Sequence, residues 1–205
     1  MAKKLGNTIS RLWLTSVSIY DPVQYFFNGS FWKIFTKKFS RLLLGNIIDL
    51  ACGTGELIDH ISPEQYLGID INHEYIAFAN NYRKKKNRKF IIGDITQVKL
   101  TAKTDTAVFI GAAHHLNDLQ ITLLCKNIKT SHVKKFILVD GRPVGPFSLI
   151  LSFLDAKLGG GKYFRGPEDL IALARPYFKI LESGEFTAPR SFYTYPYFIA
   201  TAIKP

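Results

Sequence analysis

The 205-residue chain is poor in sulfur, with two cysteines, Cys52 and Cys125, and a single methionine. Two cysteines make no disulfide framework. They also lack metal-ligand spacing, with His132 standing apart from both, so no metal site is expected and a reducing, cytoplasmic setting fits best. The chain has no run of about 18 uninterrupted apolar residues, which excludes a predicted membrane-spanning helix. Its start, "MAKKLGNTISRLWLTSVSIYDP", is basic and then apolar, but Arg11 interrupts the patch and no small-residue cleavage motif follows, against a signal peptide. Internal repeats, low-complexity tracts and interdomain linkers are missing too, so residues 1–205 read as a single domain. Positive charge is what the chain has in excess. A formal net charge of +11 favours anionic partners such as nucleic acid, acidic lipid or a phosphorylated substrate, without choosing among them. The densest basic run, "RKKKNRK" at 83–89, falls between a helical pattern and a strand and reads as a solvated loop.

From Ile47 onward short apolar runs alternate with amphipathic segments, the pattern of a parallel sheet flanked by helices. Strands are expected at "NIIDL", "YLGID", "KFIIG", "TAVFIG" and "KFILVD". Asn72 can cap a helix running to about Lys85, and Leu116, Leu119, Leu123, Leu124 and Ile128 predict the buried face of the next. After Asp140 come a loop rich in glycine and aromatics (141–166), a helix opened by Pro167, and two β-rich stretches, "YFKILESGEF" and "SFYTYPYFIATAIK", that read as an antiparallel hairpin. The predicted fold is therefore α/β: a Rossmann-like, doubly wound, mostly parallel seven-stranded sheet with an antiparallel C-terminal hairpin. Residues 1–45 read as an N-terminal helical cap and 141–166 as a substrate or lid loop.

The stretch "IIDLACGTGELIDHI" (47–61) ends a strand on a glycine turn leading into an expected helix, which brings backbone close to a ligand. A dinucleotide fingerprint would have a small residue where Ile58 stands, and a phosphate-binding loop would close on a lysine followed by serine or threonine. Neither condition is met. Asp49, upstream, repels phosphate but suits an ammonium group, so the ligand carries positive charge and no polyphosphate. Asp70 ends the next strand, where its carboxylate can accept both hydroxyls of a ribose, and Asp94 ends the third, where it can accept from an exocyclic amine such as adenine N6.

Taken together, "DLACGTGEL", "GIDIN", "GDI" and "FIGAAHHL" resemble the class I S-adenosylmethionine-dependent methyltransferases, over residues 45–140. The resemblance implies S-adenosylmethionine as cofactor. It places the methionine moiety at a turn formed by Asp49, Ala51, Gly53, Thr54 and Gly55, the ribose at Asp70, the adenine near Ile71, Asp94 and Ile95, and the pocket floor at Gly111 and Ala112. Because the donor's methyl is already electrophilic, the protein needs chiefly to align a nucleophile and exclude water. A base helps if the acceptor is a hydroxyl. His115, with His114 beside it, stands just past the fourth strand and is the candidate. No "NPPY" follows that strand, which argues against methylation of adenine or glutamine nitrogen and favours a hydroxyl or carboxyl acceptor.

Acceptor contacts are expected from the cap, where Tyr20 and Tyr25 could close over the cofactor, and from the 141–166 segment. In the latter the apolar run Phe147 to Leu154 reads either as a packed helix or as a lid, surrounded by Arg142, Lys157, Lys162 and Arg165. An acceptor with an apolar, lipid-like body and an anionic group would be accommodated. Two rival expectations remain: an RNA methyltransferase, motivated by the charge, and a non-catalytic partner protein that keeps the fold.

Overall fold

Five apolar runs of five to seven residues form the parallel centre of the molecule: β1 (Asn46–Leu50), β2 (Gln65–Asp70), β3 (Arg88–Ile92), β4 (Thr104–Ile110) and β5 (Val133–Val139), side by side in the order β3-β2-β1-β4-β5. The computed structural model describes residues 29–203 except 101–102, 132, 147, 155 and 158–160. The strand order reverses between β1 and β4, and the ends of strands flanking such a reversal splay to leave a crevice. The hairpin forms as expected from β7 (Phe178–Thr187) and β8 (Tyr193–Ala202), with β8 lying antiparallel against β5. All seven expected strands are present. A two-residue strand, β6 (Arg142–Pro143), adds an eighth by pairing with Thr194 and Tyr193 at the start of β8.

Parallel strands covered on both faces read as continuous apolar runs, and here alternate side chains feed two cores. Ile48, Leu50, Phe109, Phe136 and Leu138 pack on one face beneath α3 (Asp118–Lys129) and α5 (Pro167–Ala174). Ile47, Val108, Ile137 and Val139 pack on the other beneath α1 (Phe31–Phe39), whose Phe31, Phe35 and Phe39 recur at helical spacing and are all buried. Asn72 caps α2 (His73–Tyr82) by accepting from the backbone N–H groups of Glu74 and Tyr75, and the helix stops three residues short of Lys85. Pro167 occupies the first turn of α5, where its missing N–H costs nothing.

Two expectations need correction. The glycine turn leads into a single 3₁₀ turn, Glu56–Asp59, and not an α-helix. Fourteen residues, 51–64, join β1 to β2, and Pro63 biases Ser62 away from helical backbone. On α3 the buried face is Ile121, Leu124, Cys125 and Ile128, while Leu119 is 67% and Leu123 41% exposed. The spacing that includes Ile121 and Cys125 gives a tighter stripe against the sheet. Finally, Ser148–Leu154 is helical (α4), with Leu151 buried but Leu149 83% and Phe153 60% exposed, so this helix packs on the domain through one side alone. Tyr20, Tyr25, His132 and Phe147 lie outside the described residues. No described helix is long and apolar enough to cross a membrane.

Candidate functional site at the strand ends

The turn after β1 is built from residues in left-handed backbone: Ala51 at φ 57°, Gly53 at φ 54° and Gly55 at φ 83°. Ala51 accepts a conformation that ordinarily favours glycine. The turn is tied down from two sides, with Cys52 N–H donating to Ile69 O at 3.0 Å and Gly55 N–H to Cys52 O at 2.8 Å. Arg83, from the basic run, donates to Thr54 O at 2.9 Å and to Asp59 at 2.8 Å, so this member of the run is a structural brace. The two glycines do different work. Among the described residues a Cβ on Gly53 would meet nothing within 4 Å, whereas one on Gly55 would lie 2.5 Å from the Phe90 ring. Gly53 thus borders open space and Gly55 allows close packing.

Asp70 closes the turn. Its Oδ2 accepts from Gly53 N–H and its Oδ1 from Asn72 N–H, both at 2.8 Å, while burial pushes its pKa up against the pull of those bonds. Each oxygen retains a further lone pair for a ligand hydroxyl. Ile71 beside it is 71% exposed, an apolar surface at the mouth of the crevice. Asp94 is folded into a local turn, accepting from Thr96 N–H, Thr96 Oγ1 and Gln97 Nε2, and these bonds hold its carboxyl below the usual range. Ile95 belongs to the core and can offer a ligand only its backbone.

Asp49 is placed differently from the expectation of a direct ammonium contact. Its side chain is buried and receives the Tyr66 hydroxyl at 2.5 Å. Burial pushes its pKa up to about 7, with the Tyr66 bond opposing and the charge of Asp70 adding.

After β4, Gly111 adopts φ 64°, donates to Val139 O at 2.8 Å and, like Gly53, would carry a Cβ into open space. Ala112 then leads into a 3₁₀ turn, Ala113–His115. There the rings of His114 and His115 touch at a centroid distance of 4.2 Å, so the pair does not divide between opposite sides. His114 is buried, and its Nδ1 lies 2.7 Å from Oδ1 of Asp140 at the end of β5. Phe164 stacks on the imidazole at 5.1 Å with the planes 13° apart. The backbone of the same segment clamps the turn, Lys162 and Tyr163 N–H both donating to His114 O at 2.9 Å.

Arg165 completes that clamp. Its guanidinium donates to the carbonyls of Ala113, Leu116 and Tyr163 and to Asp118, and the residue is buried. It is therefore committed to structure and is not a cation for an anionic acceptor. Arg142 pairs with Glu185 at 2.9 Å, and Lys157 lies over the Phe153 ring. Asp140 and Tyr66 were given no role from the sequence, while Arg83 was read as part of a solvated loop and Arg165 as a cation beside the acceptor. For Asp140 a signal existed, since "FILVD" is a fourth strand ending in an acid; the others bond to backbone or distant side chains and leave no local pattern. Among the described residues no cluster of histidine, cysteine and carboxylate side chains is suited to a metal.

Residues 47–133, which span β1 to the start of β5, match a family profile described as a methyltransferase domain. A search of curated protein sequences finds no match. Among solved structures, the chain resembles the putative methyltransferase in complex with the Trm112 methyltransferase activator of Haloferax volcanii, at 13% identity and a TM-score of 0.71 over 96% of this chain and 98% of that one. It resembles magnesium protoporphyrin IX methyltransferase of Synechocystis, solved with bound SAH, at 18% identity and a TM-score of 0.62 over 96% and 99% of the two chains. Human N-acetylserotonin methyltransferase, solved with SAM, matches at 16% identity and a TM-score of 0.67 over 91% of this chain and 55% of that one. With the glycine turn and the acids at the strand ends bordering one crevice, residues 47–133 carry a methyltransferase domain, and the chain has the fold of S-adenosylmethionine-dependent methyltransferases.

Proposed function

We propose that the protein transfers the methyl group of S-adenosylmethionine to a small or lipid-like acceptor, at oxygen. The observation that carries this reading is the pair Gly53 and Gly111, both in left-handed backbone and both facing open space on neighbouring strand ends. A crevice floored by two such residues admits a ligand against bare backbone. The turn Ala51–Gly55 would hold the methionine portion, Asp70 the ribose, Ile71 and Asp94 the adenine, with Gly111 and Ala112 beneath. The bound donor supplies a methyl group already activated by its sulfonium. The protein's share is to orient the acceptor, exclude water and take up the acceptor's proton.

His114 and His115 are the candidates for that last task, and the support for His114 is geometric: Asp140 and Phe164 hold its ring in one orientation. A small-molecule acceptor agrees with the magnesium protoporphyrin IX and N-acetylserotonin enzymes that share the fold. The RNA reading rests on the net charge and on the basic run at 83–89. That run follows α2 and leads into the first two residues of β3; Arg83 braces Thr54, and Lys84, Lys85 and Lys86 lie at the N-terminal edge of the parallel sheet, away from the crevice. Incubation with methyl-labelled donor and fractionated cell extract tests the reading. Label in metabolites or lipid is expected; label in RNA would overturn it.

A further inference from the structure

The seven residues of α4, "SLILSFL", carry no charge. At helical spacing Leu149, Ile150 and Phe153 fall within about 100° of arc, with Leu151 on the opposite side. The structure follows that division: Leu151 is buried against the domain and the other three are exposed, Ile150 by 56%. So short a helix would not form by itself in water. Here it is held in place, Ser148 N–H donating to Gly145 O at 3.1 Å where Gly145 turns in left-handed backbone at φ 79°. Its apolar face is thus presented ready-made. The helix follows β6, beyond the C-terminal end of β5, and so stands at the crevice end of the sheet, where Val144 before it and Tyr163 after it are exposed too. Basic charge borders this face. Lys157 is exposed, with its Nζ 5.3 Å from the centroid of the Phe153 ring, and Lys162 is exposed beside Tyr163. Across 141–166 four basic residues stand against a single acid, Asp155. Arg142 and Arg165 are paired with Glu185 and Asp118, and the two lysines carry the outward charge.

We propose that α4 docks on an anionic lipid bilayer, with Leu149, Ile150 and Phe153 in the apolar boundary and Lys157 and Lys162 among the headgroups. The helix lies on such a surface and does not span it. An apolar face rimmed by lysines is matched to this partner, because the hydrocarbon is buried while ammonium groups on long apolar stems reach the lipid phosphates. A soluble anion would answer the lysines alone and leave three large apolar side chains in water. Docking in this orientation turns the mouth of the crevice toward the membrane, so that the acceptor reaches it from the lipid phase. That consequence, and not the docking itself, rests on the proposed reading of a lipid-like acceptor.

Flotation of the full-length protein with phosphatidylcholine vesicles, with and without phosphatidylglycerol, tests the docking. The wild type should bind the mixed vesicles more tightly than the neutral ones, with affinity falling as salt screens the lysines. Leu149→Gln, Ile150→Gln and Phe153→Gln together should weaken binding to the mixed vesicles by about tenfold or more, while the melting temperature stays within a few degrees of wild type and the affinity for S-adenosylhomocysteine within about threefold. Lys157→Gln with Lys162→Gln should weaken binding and flatten its salt dependence. Lys84→Glu, Lys85→Glu and Lys86→Glu together should leave binding within about threefold, because the opposite end of the sheet stands farther from the bilayer than charge acts at physiological salt. Binding that survives the three glutamines, or that is lost with the three glutamates, overturns the inference in favour of charge alone. A glutamine variant that melts far below wild type would give the face to another part of the chain, and a vesicle-free dimer that those glutamines dissolve would give it to a second copy; either result overturns the docking. Vesicle binding needs no acceptor, so if it behaves as expected while no extract fraction takes label, the docking stands and the proposed function fails.

Discussion

Tyr66 on β2 donates its hydroxyl to Asp49 on the neighbouring strand β1 across 2.5 Å, both side chains buried beneath the glycine turn. Burial raises the folded-state pKa of Asp49 from 3.8 to about 7, so the folded protein holds this proton where the unfolded chain has lost it. Below about pH 4 both states are protonated and the group contributes no pH dependence. Between about pH 4 and 7 the unfolded state gains from ionising while the folded state does not, so stability falls as pH rises, and above 7 the effect levels off. The loss is on the order of a few kcal/mol. Asp49→Asn, whose carbonyl still accepts from Tyr66, should flatten urea-unfolding stability across that window and raise it at pH 7. An unchanged slope would show that Asp49 is ionised in the fold.

The two glycines of the turn should respond differently to alanine. Both have positive φ, which costs a side chain roughly 1 kcal/mol. Gly55→Ala adds a contact of 2.5 Å with the Phe90 ring, an overpacking cost of about 1–3 kcal/mol more. Its melting temperature should therefore drop clearly. Gly53→Ala meets no atom of the described residues within 4 Å and should melt within a few degrees of wild type, yet its methyl occupies the space proposed for the donor. Calorimetric titration with S-adenosylhomocysteine should show a loss of tenfold or more for Gly53→Ala, and unaltered affinity would move the donor elsewhere.

Asp70→Asn tests the ribose assignment with an isostere. The amide keeps one acceptor oxygen for Gly53 or Asn72 but turns an NH₂ toward the other N–H, so the turn should lose about 1–3 kcal/mol. Donor affinity should fall by more than tenfold as the charged acceptor disappears. A variant that loses stability but binds S-adenosylhomocysteine as wild type does would confine Asp70 to closing the turn.

The parallel sheet, its hairpin and the capped α2 were legible because each rests on local signals: β-branched runs, Asn72 before a helical pattern, Pro167 opening a helix. The glycine turn and its acids were legible as residue types at strand ends. The bonds those acids make were not. Asp49 and Asp70 both end apolar strands, but one turns into the core toward Tyr66 and the other toward the turn, a choice set by packing across β1 and β2. The face of α3 was misjudged because counting leucines favours Leu119 and Leu123, whereas burial follows the stripe of Ile121, Leu124, Cys125 and Ile128. Arg165, next to last in the 141–166 segment read as loop, looked like a surface cation and is instead the buried fastener of the His114 turn.

The basic run separates a small-molecule acceptor from RNA. Lys84, Lys85 and Lys86 are exposed at the start of β3, and the five residues of that strand put about 17 Å between this edge and the crevice. Arg83 is excluded from the test because it braces Thr54. Changing the three lysines to glutamate lowers the net charge by six. If the acceptor is small, donor affinity and transfer to the labelled fraction should stay within about threefold of wild type and depend little on salt. An RNA acceptor gripped by this run would behave differently, with affinity collapsing at low salt and the slope of log affinity against log salt becoming shallower by about two to three. Fluorescence titration with a labelled RNA at several salt concentrations reads that slope, and a steep wild-type slope that the triple variant abolishes would overturn the small-molecule reading.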